Sequence, residues 1–132
     1  MYLYLLNEDE QLGFLNLCTN IVKNSHCDIE KQREIIKEYC FECNMLYIHY
    51  PEEDTPDPEE SFNNSENYAK KIAVFEALLL AYSDSVLESS EADVIYNFAY
   101  SIGLNNKDYN DLKNLAKEYS DKKMNLEKAM SK

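Results

Sequence analysis

The chain has 132 residues, of which 25 are acidic and 13 basic, giving a formal net charge of −12. Such a charge repels the phosphates of nucleic acids and anionic membranes, so we expect neither as a partner. Hydrophobic residues make up 45% of the chain, which is enough for one packed domain over residues 1–132 and too much for a disordered chain.

The first third of the chain predicts two helices joined by a short turn. The first helix begins after Asn7, where three acidic residues suit the positive end of the helix dipole. It ends near Asn24, and Asp28 is placed to cap the second helix. Apolar residues at helical spacing predict the buried faces of both helices: Phe14, Leu15, Cys18, Ile21, Ile35, Ile36, Tyr39, Cys40 and Cys43.

Residues 47–64 predict an acidic connecting loop that contains prolines at 51, 56 and 58. Proline removes a hydrogen-bond donor and disfavours helix in the preceding residue, so we expect no helix to continue here. Tyrosine is favoured at protein interfaces, and the carboxylates of the loop attract a basic partner. The predicted partner-binding residues are Tyr47, Tyr50, Glu52, Glu53 and Asp54.

Three more helices follow the loop. One starts near residues 65–67 and is apolar almost all round, which predicts the central helix. The next is capped by Ser89 or Ser90 and ends at Gly103, a residue suited to the left-handed C-terminal position. Asn105 caps the last helix, and residues 120–132 form a polar tail that we expect to extend into solvent.

The two halves resemble each other, because a helix, a short polar turn and a second helix occur twice with the turns about 58–59 residues apart. Two such αα-hairpins can bury their apolar faces against each other. We therefore predict an all-α fold, a compact bundle of five or more helices built from two pseudo-repeated αα-hairpins.

The second turn holds a candidate divalent-cation site. Asp84, Glu88 and Glu91 lie where a turn meets a helix start, an arrangement that can gather carboxylates around a cation. The spacing is not that of an EF-hand, since Ile95 stands where the final glutamate would be needed. Helix capping and favourable interaction with the helix dipole explain the same residues without a metal.

The four cysteines raise a second metal hypothesis. Cys40 and Cys43 form a C-x-x-C pair, and Cys27, Cys18, His26 and His49 are the other soft ligands. Structural zinc requires four such ligands, but this pair lies inside a predicted helix and no second pair exists. Buried thiols that act as small apolar side chains are the simpler interpretation.

The second hairpin resembles the tellurite-resistance TerB-like domain family, which also includes the N-terminal region of a membrane-anchored DnaJ-type co-chaperone. The resemblance lies in residues 76–91 and 98–104, where a helix ends in an aspartate-containing turn and a serine-rich acidic helix start follows. The family's Ala-Asp-Gly turn is Ser83-Asp84-Ser85 here, so the aspartate is kept and the glycine is not. The resemblance implies an all-helical bundle linked to stress response or to protein interaction.

The sequence holds no nucleophile elbow, no H-E-x-x-H motif and no P-loop, so we expect no enzyme. With no secretory signal in view and no run of about 20 apolar residues, we expect a cytoplasmic protein without membrane insertion. The leading hypothesis is a non-enzymatic interaction or adaptor domain that contacts another protein. The alternatives are a cation-responsive module using Asp84 and a zinc-stabilised or thiol-redox domain.

Overall fold

The structure, a computed structural model, describes residues 1–25, 29–45, 56–83 and 86–131. A short 3-10 helix at Leu3–Leu5 precedes six α-helices: α1 Glu8–Lys23, α2 Ile29–Glu42, α3 Pro58–Phe62, α4 Asn67–Ala81, α5 Ser89–Ser101 and α6 Asn106–Met130. Within these ranges there is no β-strand, and no helix is long and apolar enough to cross a membrane. The predicted all-α fold is confirmed.

Helices α1 and α4 form the centre of the bundle. They pack against each other and against both α2 and α5, while α3 covers α1 and α6 covers α4. The start of α1 is fixed by a capping box, in which the Asn7 side chain accepts the Glu10 N–H at 2.8 Å and Glu10 accepts the Asn7 N–H at 2.9 Å. Asn105 caps α6 as predicted, accepting the Asp108 N–H at 2.8 Å.

The predicted connecting loop at 47–64 is wrong in its last part, because α3 occupies Pro58–Phe62. Proline breaks a helix interior but suits its first position, where no N–H is needed. The Asp57 side chain accepts the Glu59 N–H at 3.3 Å, and Phe62 is fully buried with its ring edge-to-face with Phe98 at 5.7 Å. Residues 47–55 lie outside the described ranges.

Two further boundaries differ from the prediction. The segment predicted as a polar tail, 120–132, continues α6 as far as Met130. A polar segment can form a helix when opposite charges pair along its surface, as Lys117 and Asp121 do at 3.0 Å. The residue that precedes α5 is Glu88 rather than Ser89 or Ser90. The Ser90 hydroxyl instead donates to the Asn24 carbonyl at 2.7 Å and thereby joins the second hairpin to the first.

In the described residues the pseudo-repeat has a register of 59 residues, the separation of Glu8 and Asn67 at the starts of α1 and α4. Residues 3–45 correspond in this register to residues 62–104. Glu8 and Asn67, which begin α1 and α4, are equivalent, and so are the N-cap residues Asn7 and Glu66. Leu3, which begins the 3-10 helix, corresponds to Phe62, the last residue of α3, and α6 lies outside the repeat.

The hydrogen bonds at the helix ends repeat in the same register. Asn44 after α2 and Gly103 after α5 have φ of 59° and 87°, both left-handed. The Met45 N–H bonds to the Cys40 carbonyl at 2.8 Å, and the equivalent Leu104 N–H bonds to the Ala99 carbonyl at 3.0 Å. Buried residues also correspond, although Ile36 and Ile95 are the one identical pair between the two segments.

Candidate functional site

The predicted partner-binding residues Tyr47, Tyr50, Glu52, Glu53 and Asp54 all lie outside the described residues, so their role stays a prediction. The same holds for Asp84 in the predicted cation site and for His26, Cys27 and His49 among the soft ligands.

Glu91 of the predicted cation site is fully buried at the junction of the two hairpins. Its carboxylate accepts the Gln32 side-chain N–H at 2.7 Å and is also hydrogen-bonded by the Ser25 side chain and the Glu88 backbone. Burial raises the pKa of the Glu91 carboxyl, and these hydrogen bonds oppose the rise. Glu88 is half-buried nearby.

The three described cysteines, Cys18, Cys40 and Cys43, are buried free thiols of the core. Burial raises the pKa of each thiol, that of Cys43 to about 12. A thiolate is the form that attacks disulfides and binds metal, so these thiols are held in their less reactive form. Across the described part of the chain, no three His, Cys, Asp or Glu side chains are grouped so as to hold a metal ion.

Among the described residues there is a cleft of about 350 Å³ whose walls are α2 and the C-terminal half of α6 and whose floor is α4. α4 and α6 run parallel, since Lys71 pairs with Asp108 at 3.9 Å near their starts and the Ser120 hydroxyl donates to the Tyr82 carbonyl at 2.8 Å near the end of α4. The cleft is lined by Met1, Lys31, Glu34, Ile35, Glu38, Tyr39, Glu76, Leu79, Ser83, Tyr119, Ser120, Lys123, Met124 and Glu127.

Glu76 on α4 lines the cleft and is a fully buried ionisable residue. One carboxylate oxygen, Oε2, accepts from the Met1 amino group at 3.0 Å, and that amino group also contacts Glu42 at 3.1 Å. The other oxygen, Oε1, is buried without a hydrogen-bond partner among the described residues. Burial raises the pKa of the Glu76 carboxyl, and the nearby Met1 amino group opposes that rise.

The equivalent position of the first repeat carries no carboxylate. In the 59-residue register, the position equivalent to Glu76 is Leu17, which is 2% exposed on α1. Leucine fills this buried helix position with an apolar side chain. A buried carboxylate instead costs free energy of folding unless it is well paired. Buried ionisable groups that stability does not require, and that line a cleft, are candidates for function.

The lining of the cleft has a small excess of negative charge. Glu34, Glu38, Glu76 and Glu127 contribute four carboxylates, against the three ammonium groups of Lys31, Lys123 and Met1. Between these charges the lining includes apolar side chains of Ile35, Leu79 and Met124. The arrangement suits a ligand that combines positive charge with an aliphatic portion.

Sequence reasoning missed Glu76, because an isolated glutamate within an apolar helix does not indicate its own burial. The signal that identifies it is the register of the repeat, which pairs Glu76 with Leu17. The chain matches no family model, no curated protein and no solved structure.

Proposed function

We propose that this domain is a protein-interaction module whose α2–α4–α6 cleft receives a basic segment of a partner protein. The observation that carries the proposal is the buried Glu76 carboxylate at the cleft floor, with Oε1 lacking a partner among the described residues. A buried acceptor of this kind gains most from a donor supplied by a ligand.

Charge supports a basic partner. The chain has a net charge of −12, and the cleft has four carboxylates, those of Glu34, Glu38, Glu76 and Glu127, against three ammonium groups. Complementary charge accelerates encounter and selects against acidic surfaces, even where it contributes little to the final affinity. A volume of about 350 Å³ accommodates a few side chains of an extended or helical segment.

The resemblance to the TerB-like family supports the same proposal, since it implies a helical bundle linked to protein interaction. A stress-response role is part of this proposal through that resemblance alone. The tyrosines and carboxylates predicted at residues 47–54 are proposed to extend the same acidic surface.

The test measures binding of a labelled lysine–alanine peptide by fluorescence anisotropy, with a glutamate–alanine peptide as the charge-reversed control. We expect the lysine peptide to bind and the affinity to fall with added salt, because surface charges are screened. Replacing Glu38 and Glu127 together by Gln removes two rim charges and should weaken binding about fivefold.

The matched control replaces Asp111 by Asn and Glu118 by Gln. Both are exposed on α6 and neither lines the cleft, so the net charge changes equally while the cleft is untouched. Binding that is equal for the two peptides, or that falls equally in both double variants, would contradict a cleft-specific basic partner.

A further inference from the structure

We infer that the cleft recognises a lysine side chain of the partner, whose ammonium group hydrogen-bonds to Oε1 of Glu76. This inference rests on the proposed function and adds to it the identity of the recognised group. A charged ammonium–carboxylate hydrogen bond in a water-poor site is stronger than one between neutral groups. It also provides the partner that Oε1 lacks among the described residues.

The geometry favours lysine over arginine. Oε2 of Glu76 is already engaged by the Met1 amino group at 3.0 Å, which leaves one oxygen for a ligand. Arginine binds carboxylates best through two parallel hydrogen bonds that use both oxygens. An ammonium is a point charge that needs only one, so a single unpartnered acceptor favours lysine.

The lining of the cleft matches the rest of the lysine side chain. Ile35 on α2, Leu79 on α4 and Met124 on α6 supply apolar surface from all three elements. A lysine buries its four-carbon stem along such surface while the ammonium reaches a polar group. Oε1 is closed to bulk water, so the ammonium must displace lining side chains as it enters.

The experiment compares four peptides of identical backbone in which one central residue is lysine, acetyl-lysine, arginine or alanine. Flanking lysines are kept constant, so the lysine and arginine peptides have equal net charge, and the acetyl-lysine and alanine peptides have one positive charge less. We expect the central lysine to bind at least about thirtyfold more tightly than acetyl-lysine or alanine, since an unpaired buried charge is costly. Arginine should bind about tenfold more weakly than lysine.

Variants of the protein locate the effect. Glu76→Leu copies Leu17 of the first repeat, and Glu76→Gln keeps the shape but removes the charge. In both variants the lysine and arginine peptides should bind equally, and each should exceed acetyl-lysine and alanine only by the attraction of one added charge. Glu118→Gln on the exposed face of α6 should keep the preference for lysine. If Glu76→Leu is not folded by circular dichroism, Glu76→Gln decides the result.

The two levels of the proposal fail differently. Binding of all four peptides with equal affinity to the wild-type protein overturns the lysine inference and leaves a basic-segment module. No binding of any of them overturns the proposed function as well. If n-butylammonium alone binds Glu76 as tightly as the lysine peptide does, the ligand is a free amine, which overturns recognition of a partner protein.

Discussion

Gln32 and Glu91 form a fully buried polar pair at the junction of the two repeats. The Glu91 carboxylate is hydrogen-bonded by the side chains of Gln32 and Ser25 and by the backbone of Glu88. These hydrogen bonds offset part of the free-energy cost of burying its charge. The side-chain oxygen of Gln32 has no partner within the described residues. The pair therefore links the hairpins at some expense in stability.

Replacing Glu91 by Gln tests this balance. The amide keeps the shape and most hydrogen bonds while removing the buried charge, so we expect stability within about 1 kcal/mol of wild type at neutral pH. Glu91→Ala, which leaves Gln32 unpaired and opens a cavity, should cost about 2–4 kcal/mol. The measurement is chemical denaturation followed by circular dichroism.

The contribution of Glu91 to folding stability changes with pH in a defined direction. Because burial raises the pKa of Glu91, folding favours its protonated form. That contribution to stability is complete below the ordinary glutamate range and is lost as pH rises through the raised pKa. Glu91→Gln should therefore gain stability relative to wild type as pH rises above about 4, the ordinary glutamate range. A difference that is constant with pH, or that falls, would contradict the assignment.

At the scale of elements, the ends of α2 and α5 are built alike with different residues. Asn44 and Gly103 occupy the same left-handed position, with φ of 59° and 87°. Glycine adopts this conformation without the steric cost that a Cβ brings, and asparagine tolerates it better than most residues. The two helix ends are thus a matched pair for substitution.

We expect Asn44→Gly to stabilise the protein by up to about 1 kcal/mol and Gly103→Ala to destabilise it by about 1 kcal/mol or more. A Cβ at Gly103 meets only the end of the flexible Lys70 side chain, at 4.0 Å, so backbone strain rather than crowding decides the result. Thermal unfolding of both variants is the measurement. If Asn44→Gly lowered the melting temperature or Gly103→Ala raised it, backbone conformation would not be the dominant effect at these positions.

Most elements were predictable from local signals, and the exceptions have physical reasons. Asn7, Gly103 and Asn105 mark helix ends because their side chains or conformational freedom act within one turn. The helix α3 was not predicted, since Pro58 suggests a break unless the cap at Asp57 and the burial of Phe62 are known. The left-handed Asn44 was also not predicted, because asparagine signals that conformation more weakly than glycine.

At the scale of the whole molecule, the net negative charge could be predicted from the composition, but the cleft could not. The floor residue Glu76 and the wall residues of α2 and α6 are far apart in sequence, and only packing on α4 brings them together. The predicted cation site likewise requires the carboxylates of Asp84, Glu88 and Glu91 to lie close together in the folded protein. It stays a prediction, because Asp84 lies outside the described residues.

That prediction has a direct test by thermal unfolding. If the three carboxylates bind calcium, millimolar calcium chloride should raise the melting temperature more than sodium chloride of equal ionic strength, by preferential binding to the folded state. Asp84→Asn should abolish the difference. Equal shifts with both salts would mean that screening of the net charge of −12 is the whole effect.

The constant 59-residue register between residues 3–45 and 62–104, with a single identical pair, has an evolutionary consequence. Tandem duplication of one gene segment followed by divergence produces such a pattern, in which spacing outlasts residue identity. After duplication, each core position exists in two copies, and one copy is free to change chemistry while the other preserves the ancestral packing. On this view Leu17 and Glu76 descend from one core position, where one copy keeps an apolar side chain and the other carries a carboxylate.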